Sequence, residues 1–168
     1  MRKSRLHRLL VPAALLAALL AGCGTPGPSL VGSARSDVQS RYGSPAYRAP
    51  LPGGGERLFY PVGSLQQEVW AVDIDAGGRV IQVRQVHTAE NFARIRIGVD
   101  NDADILREFG RPRITQPYPL VDLVGWMYPY LESGFVRSEM VVYFDRQGIV
   151  RRVENGPDPR FLGDGDRR

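Results

Sequence analysis

The chain predicts an α+β protein of two tandem units, each a helix (or helix pair) packed on a three-stranded antiparallel meander. Three observations carry this. "SDVQSRYGSP" (36–45) recurs as "ADILREFGRP" (103–112). "LFYP" (58–61) recurs as "WMYP" (126–129). "AVDIDAGGRVIQV" (71–83) recurs as "VVYFDRQGIVRRV" (141–153). The blocks keep their order while their offset grows from 67 (Gly43 to Gly110) to 70 (Val83 to Val153), as small insertions between parallel blocks would produce. A period this long is one small domain written twice, not a solenoid repeat.

The N-terminus comes first. "MRKSRLHR" is basic, and "LLVPAALLAALLAG" is apolar and stops before Cys23. A charged start, a short greasy core and small residues before a cleavage point make a secretory signal. The run is too short for a membrane span of about 20 residues. Leu20-Ala21-Gly22-Cys23 resembles the bacterial lipobox. That resemblance implies cleavage between Gly22 and Cys23, lipid on the Cys23 sulfur and acylation of the new amine. Two or more acyl chains anchor a protein stably, where one does not. In the sorting rule that comes with the motif, an Asp after the cysteine retains the protein in the inner membrane. Gly24 stands there instead, which favours the outer membrane and its periplasmic face.

Removing the signal changes the charge. Of 22 basic residues, Arg2, Lys3, Arg5 and Arg8 lie in the leader, so the 18 left equal the 18 acids. A near-neutral chain gives no case for nucleic acid, which selects a basic face. Past the signal there is no lysine, one histidine (His87) and no cysteine beyond Cys23, so no intramolecular disulfide is available and a packed core must supply stability.

The expected organisation is a signal at 1–22, a lipidated linker at 23–34, a first repeat at 35–87, a second at 88–155 and a disordered tail at 156–168. In the first helix Ser36 would cap, Val38 and Tyr42 would face inward, Gly43 would turn the chain and Pro45 would stop it. In the second, Asn101 or Asp102 would cap, Ile105, Leu106 and Phe109 fall at helical spacing, and Gly110 and Pro112 terminate. Thr88 would cap a short helix holding Phe92. "RLFYPV" and "VGWMYPYL" are strands, with Pro61 and Pro129 marking edges or breaks. "EVWAVDID" with "RVIQVRQV", and "EMVVYFD" with "IVRRVEN", are hairpins turned at Gly78 and Gly148. "LPGGGER" and "RITQPYPLVD" read as loops.

A helix ending in Gly-x-Pro, a Trp/Leu-x-Tyr strand and a D-x-x-G-x-V hairpin behind a lipobox resemble the SmpA/OmlA, or BamE-like, lipoprotein family. The resemblance runs over roughly 30–155 and is fuller in the second copy, through Gly110, Pro112, Trp126, Tyr128, Asp145, Gly148 and Val150; the first copy has Leu58 where the second has Trp126. It implies the fold of the β-lactamase-inhibitor protein, itself a tandem of such units. It also implies a non-enzymatic outer-membrane lipoprotein supporting membrane assembly or envelope integrity, with a partner such as the β-barrel assembly machinery. The sequence departs from the family in being doubled. The alternatives are a protein inhibitor resembling the β-lactamase inhibitor, and a lipoprotein of unrelated envelope role.

For chemistry, His87 is expected at a solvated strand end, with Glu90 and Ser64 as the nearest thing to catalytic companions, and no Gly-x-Ser-x-Gly is present. "DNDAD" (Asp100, Asp102, Asp104) fails as a calcium loop because Ile105 and Arg111 stand where Gly and Glu are needed. Asp73 and Asp75 read as a strand-end and turn pair. No catalytic residue, metal or cofactor is expected. Tyr118, Trp126, Tyr128 and Tyr130 are the candidate partner-binding residues, either core filling or a rigid aromatic platform.

Overall fold

The computed structural model describes residues 24–162. Two four-stranded antiparallel sheets dominate, each with its strands side by side in chain order. In the first, Tyr47–Pro50 (β1), Glu56–Val62 (β2), Glu68–Ile74 (β3) and Val80–Gln85 (β4) follow helix α1, Arg35–Tyr42. Helices α2, Ala89–Phe92, and α3, Asp102–Phe109, lead into the second: Ile114–Tyr118 (β5), Leu123–Glu132 (β6), Val136–Phe144 (β7) and Val150–Pro157 (β8).

The protein is therefore mostly β, and the expected helix on a three-stranded meander is corrected. The added strands, β1 and β5, come from segments next to or inside the expected loops. Each is short and holds a proline, Pro50 or Pro117, which an edge strand tolerates because one side of its ladder is open. Their pairing to β2 and β6 is the product of long-range register, not of local pattern.

Pro61 and Pro129 lie in β2 and β6, which are central strands and not broken. Both prolines sit past the ends of their outer neighbours, since β1 pairs only as far as Phe59 and β5 only as far as Met127. The missing N–H therefore interrupts no ladder there.

The same hydrogen bonds recur in each half. Arg35 N–H donates to Gly78 O and Asp102 N–H to Gly148 O, both at 2.9 Å, seating each helix start on its own hairpin turn. Gly43 and Gly110 close the helices at φ 77° and 76°, a region that favours glycine. The Tyr60 and Tyr128 hydroxyls donate to Gly43 O (3.3 Å) and Gly110 O (3.2 Å), tying each central strand to its helix end. A bulge falls at Asp73/Ile74 and again at Tyr143/Phe144.

Caps differ between the copies. Asn101 Oδ1 accepts from Asp104 N–H, and Asp104 Oδ2 from Asn101 N–H, a reciprocal box. Ser36 does not cap α1: the helix begins two residues earlier than that cap would set it, after Ala34, whose N–H is held by Asp37 Oδ2 at 3.2 Å. Thr88 Oγ1 does accept from Asn91 N–H at α2.

Within the described residues, parts of the expected linker (23–34) and of the expected tail (156–168) are built into the fold. Leu30, in the supposed linker, is buried in the first core, and Gly32 N–H donates to Val80 O. In the supposed tail, β8 runs to Pro157 and a 3₁₀ turn follows at Pro159–Phe161. Asp158 is fully buried, its N–H on Arg137 O, and Arg160 reaches Leu65 O of the first half at 3.3 Å. The polar composition concealed a clasp between halves.

Each half has its own core. Val38, Leu58, Val72, Ile74 and Val80 fill the first; Phe92, Ile105, Phe109, Tyr128, Tyr130 and Val142 fill the second. A third cluster, Ala49, Phe59, Val69, Ala71 and Val86, lies on the outer face of the first sheet, where the second half packs.

Candidate functional site

The outer face of the first sheet and the end of α3 form a charged, largely dry seam. Arg57, on β2, holds Asp73 of β3 through two parallel bonds, Nε–Oδ1 at 2.6 Å and Nη2–Oδ2 at 2.8 Å. Its third nitrogen reaches Arg107 O at 2.9 Å and Glu108 at 2.7 Å, and Arg84 meets the same Glu108 oxygen at 2.6 Å. Burial alone lowers the pKa of Arg57, but Asp73 and Glu108 outweigh it and the net shift is upward. Burial likewise raises Glu108, and Arg84 with Arg57 more than offset it, leaving the carboxyl below its ordinary value. A buried pair so fully bonded fixes one docking geometry and is costly to break. Asp73 lies at the end of β3 and Asp75 in the turn, as expected, and Asp73 is in addition a seam residue. Asp75 alone serves the turn, accepting from Arg79 N–H.

His87 is not at a solvated strand end. It is buried, with Nε2 3.0 Å from Phe109 O and Nδ1 3.2 Å from Pro129 O. Its ring stands edge-on to Tyr128 at 5.4 Å. Both nitrogens face carbonyls, and a neutral imidazole donates only once. Burial nevertheless dominates and pushes the ring's pKa down to about 4 against the pull of both carbonyls. A histidine closed off this way serves as a packed joint between halves. Glu90 pairs with Arg94, away from it in role.

The aspartates of "DNDAD" have local tasks. Asp100 accepts from Arg96 N–H and its guanidinium, Asp102 from Ala103 N–H, and Asp104 from Asn101 N–H and Arg107. Among the described residues no group of three or more His, Cys, Asp or Glu is placed to hold a metal ion.

The aromatic platform divides. Tyr128 and Tyr130 are fully buried, and Trp126 packs on that core against Phe144 at 4.5 Å. Tyr128 and Tyr130 are thus core filling, and Trp126 is half-buried against that core. The inward face is the one α2 and α3 cover, which period-two spacing does not specify. Tyr118 alone lies on the opposite face. Its ring lies over Gly125, where a Cβ would sit 2.9 Å away, and meets Tyr143 edge-on at 5.3 Å. Arg152 stacks on Tyr143 at 4.1 Å, and the Tyr143 hydroxyl donates to Glu154 at 2.8 Å. Burial and Glu154 push that phenol up to about 12, so it stays a donor.

Two surfaces thus offer binding. One is a polar cleft of about 440 Å³ between β4 and the helices of the second half, with Arg84, Arg94, Arg96 and Arg107 at its walls. Each of these arginines already has a carboxylate partner, which leaves no free anion receptor. The other is the outer face of the second sheet around Tyr118 and Tyr143, which sequence reasoning did not isolate; Gly125 within an aromatic strand was its one signal. Cys23 and Gly22 lie outside the described residues, and Gly24 is exposed. No described helix is long and apolar enough to cross a membrane.

No family model matches the chain, and no curated protein matches it. Two solved structures align with it. One is a DUF4309 family protein (YjgB) from Bacillus subtilis, at 16% identity and TM-score 0.32, covering 89% of this chain and 96% of that one. The other is an extracellular protein containing an SCP domain from Bacillus anthracis, at 10% identity and TM-score 0.32, covering 83% of this chain and 48% of that one. Likeness at this level carries no argument about function.

Proposed function

We propose that the chain is a lipoprotein tethered through Cys23 to the outer membrane on its periplasmic face, and that it supports the envelope through protein contacts without bond-making chemistry. The single observation that carries the reading is Leu20-Ala21-Gly22-Cys23 at the end of a short apolar run. Two further features support it. The one histidine past the signal is locked between carbonyls and has no access to a substrate proton. The chain also keeps a sheet face with exposed or half-buried Ile114, Tyr118 and Met127 available for contact.

Replacing Cys23 with Ser tests the tether. Cells fed labelled palmitate should label the native chain and not the variant, and the variant should leave the membrane fraction. Equal labelling of both would refute it. Crosslinking in intact cells followed by capture of the chain then tests the partner, for which the β-barrel assembly machinery is the proposed class. Recovery of its components at background level counts against that partner.

A further inference from the structure

The outer face of the first sheet is covered by the second half, whereas the matching face of the second is covered only in part, by the Tyr118 ring over Gly125 and Tyr143, and stays open around Ile114, Met127 and Val141. On the first, Gly110 sits where a Cβ would be 3.0 Å from the Phe59 ring, Arg111 stacks on Tyr47 at 5.2 Å, and Glu108 takes Arg57 and Arg84. What docks there is a helix end followed by Gly-x-Pro. The shared register gives each receiving position a counterpart. Tyr47 corresponds to Ile114, Phe59 to Met127, Ala71 to Val141 and Arg84 to Glu154. Phe59 is 1% exposed and Ala71 0%; Ile114 is 41% exposed, and Met127 and Val141 are only half-buried.

Among the described residues one other helix end has this form. α1 closes with Arg41-Tyr42-Gly43-Ser44-Pro45, and Gly43 (φ 77°, ψ −163°) has the backbone of Gly110 (φ 76°, ψ −161°). Arg41, Gly43 and Ser44 are exposed. The charges are interchanged as well. Where the first sheet presents Arg84 to Glu108, the second presents Glu154, half-exposed and held on its own face by Arg152 at 3.2 Å and the Tyr143 hydroxyl, and α1 carries Arg41 at the position of Glu108. Among the described residues Arg41 forms no ion pair and stacks on Tyr42 at 5.4 Å.

We propose that the outer face of the second sheet binds the α1 end of a second copy of this chain, head to tail, with Arg41 of one copy opposite Glu154 of the next. The contact repeats between molecules the one that α3 makes within the molecule. Being heterologous, it leaves a free face and a free helix end on each assembly, so copies add in a row or close into a ring. The contact does not depend on the lipid tether. If that reading holds, confinement to one membrane raises the local concentration and a modest affinity suffices.

Sedimentation equilibrium of the chain from Gly24 onward tests this. Mass should rise above the monomer with concentration. Arg41→Glu and Glu154→Arg should each weaken association about tenfold, because each sets like charges opposite one another. Mixing the two variants should restore it, since each then supplies the charge that the other needs. Both residues are exposed, and circular dichroism verifies that the variants stay folded. A monomer up to about 1 mM, association indifferent to both reversals, or no recovery on mixing would each overturn the proposal.

Discussion

Arg57 and Asp73, 16 residues apart in the chain, meet side by side at 2.6 and 2.8 Å beneath the end of α3. Their side chains are each 7% exposed, so neither charge has water to fall back on. Asp73→Ala strands a guanidinium that keeps only Glu108 and a carbonyl. It should cost about 3 kcal/mol in urea unfolding. Arg57→Met combined with Asp73→Leu should recover part of that, because a dry apolar pair replaces a buried ionic one. A loss below about 1 kcal/mol for Asp73→Ala would mean the seam is wetter than described.

His87 makes stability depend on pH in a window of its own. Its folded pKa, about 4, lies below the ordinary 6.5, so the unfolded chain binds the extra proton. Stability is therefore full above pH 6.5 and lost as pH falls toward 4, by about 2 kcal/mol between pH 7 and pH 5. The depressed carboxyls Asp104, Glu108, Asp145 and Asp158 act in the same direction but start from 3.8 or 4.5, so the loss above pH 5 belongs to the histidine. Urea titrations at pH 7 and pH 5 should show it, and His87→Asn should flatten it. A native protein that gains stability at pH 5 would show that the two carbonyls outweigh burial.

The paired glycines separate conformation from contact. Gly43→Ala and Gly110→Ala meet the same positive φ, at about 1–3 kcal/mol of strain. At Gly43 a Cβ meets nothing within 4 Å, whereas at Gly110 it meets Phe59 at 3.0 Å. Gly110→Ala should therefore be the more damaging by about 1 kcal/mol or more. Equal losses would deny the close approach of the halves.

Among the tyrosines, Tyr130→Ala should cost about 4 kcal/mol, as for other large buried rings. Tyr118→Ala should cost about 1 kcal/mol, mostly its edge contact with Tyr143. Thermal melts of the two variants give the comparison. Similar shifts would put the partner platform back on the Trp126 face.

Local features were legible and tertiary ones were not. The helix stops at Gly43-x-Pro45 and Gly110-x-Pro112, and the hairpin turns at Gly78 and Gly148, are written in a few adjacent residues that only some conformations accept. β1 and β5 are not, because four- and five-residue strands containing Pro50 or Pro117 exist only through their pairing partners. Ser36 looked like a cap, but the neighbouring hairpin supplies Gly78 O to the helix start, so the backbone takes over part of that work. His87 looked solvated because nothing near it in sequence encloses it; Phe109 and Pro129 do. For Trp126, Tyr128 and Tyr130 the common face was readable, and its direction was not. In the candidate surface, Tyr118 was visible as a residue, while its partners Gly125 and Tyr143 belong to other strands.

The most direct measurement for the functional account is the intact mass of the native chain extracted from envelope membranes. The account predicts a chain starting at Cys23 and carrying a diacylglyceryl group and an amide-linked acyl chain. A chain with an unmodified Cys23, or one that retains residues 1–22, would contradict it.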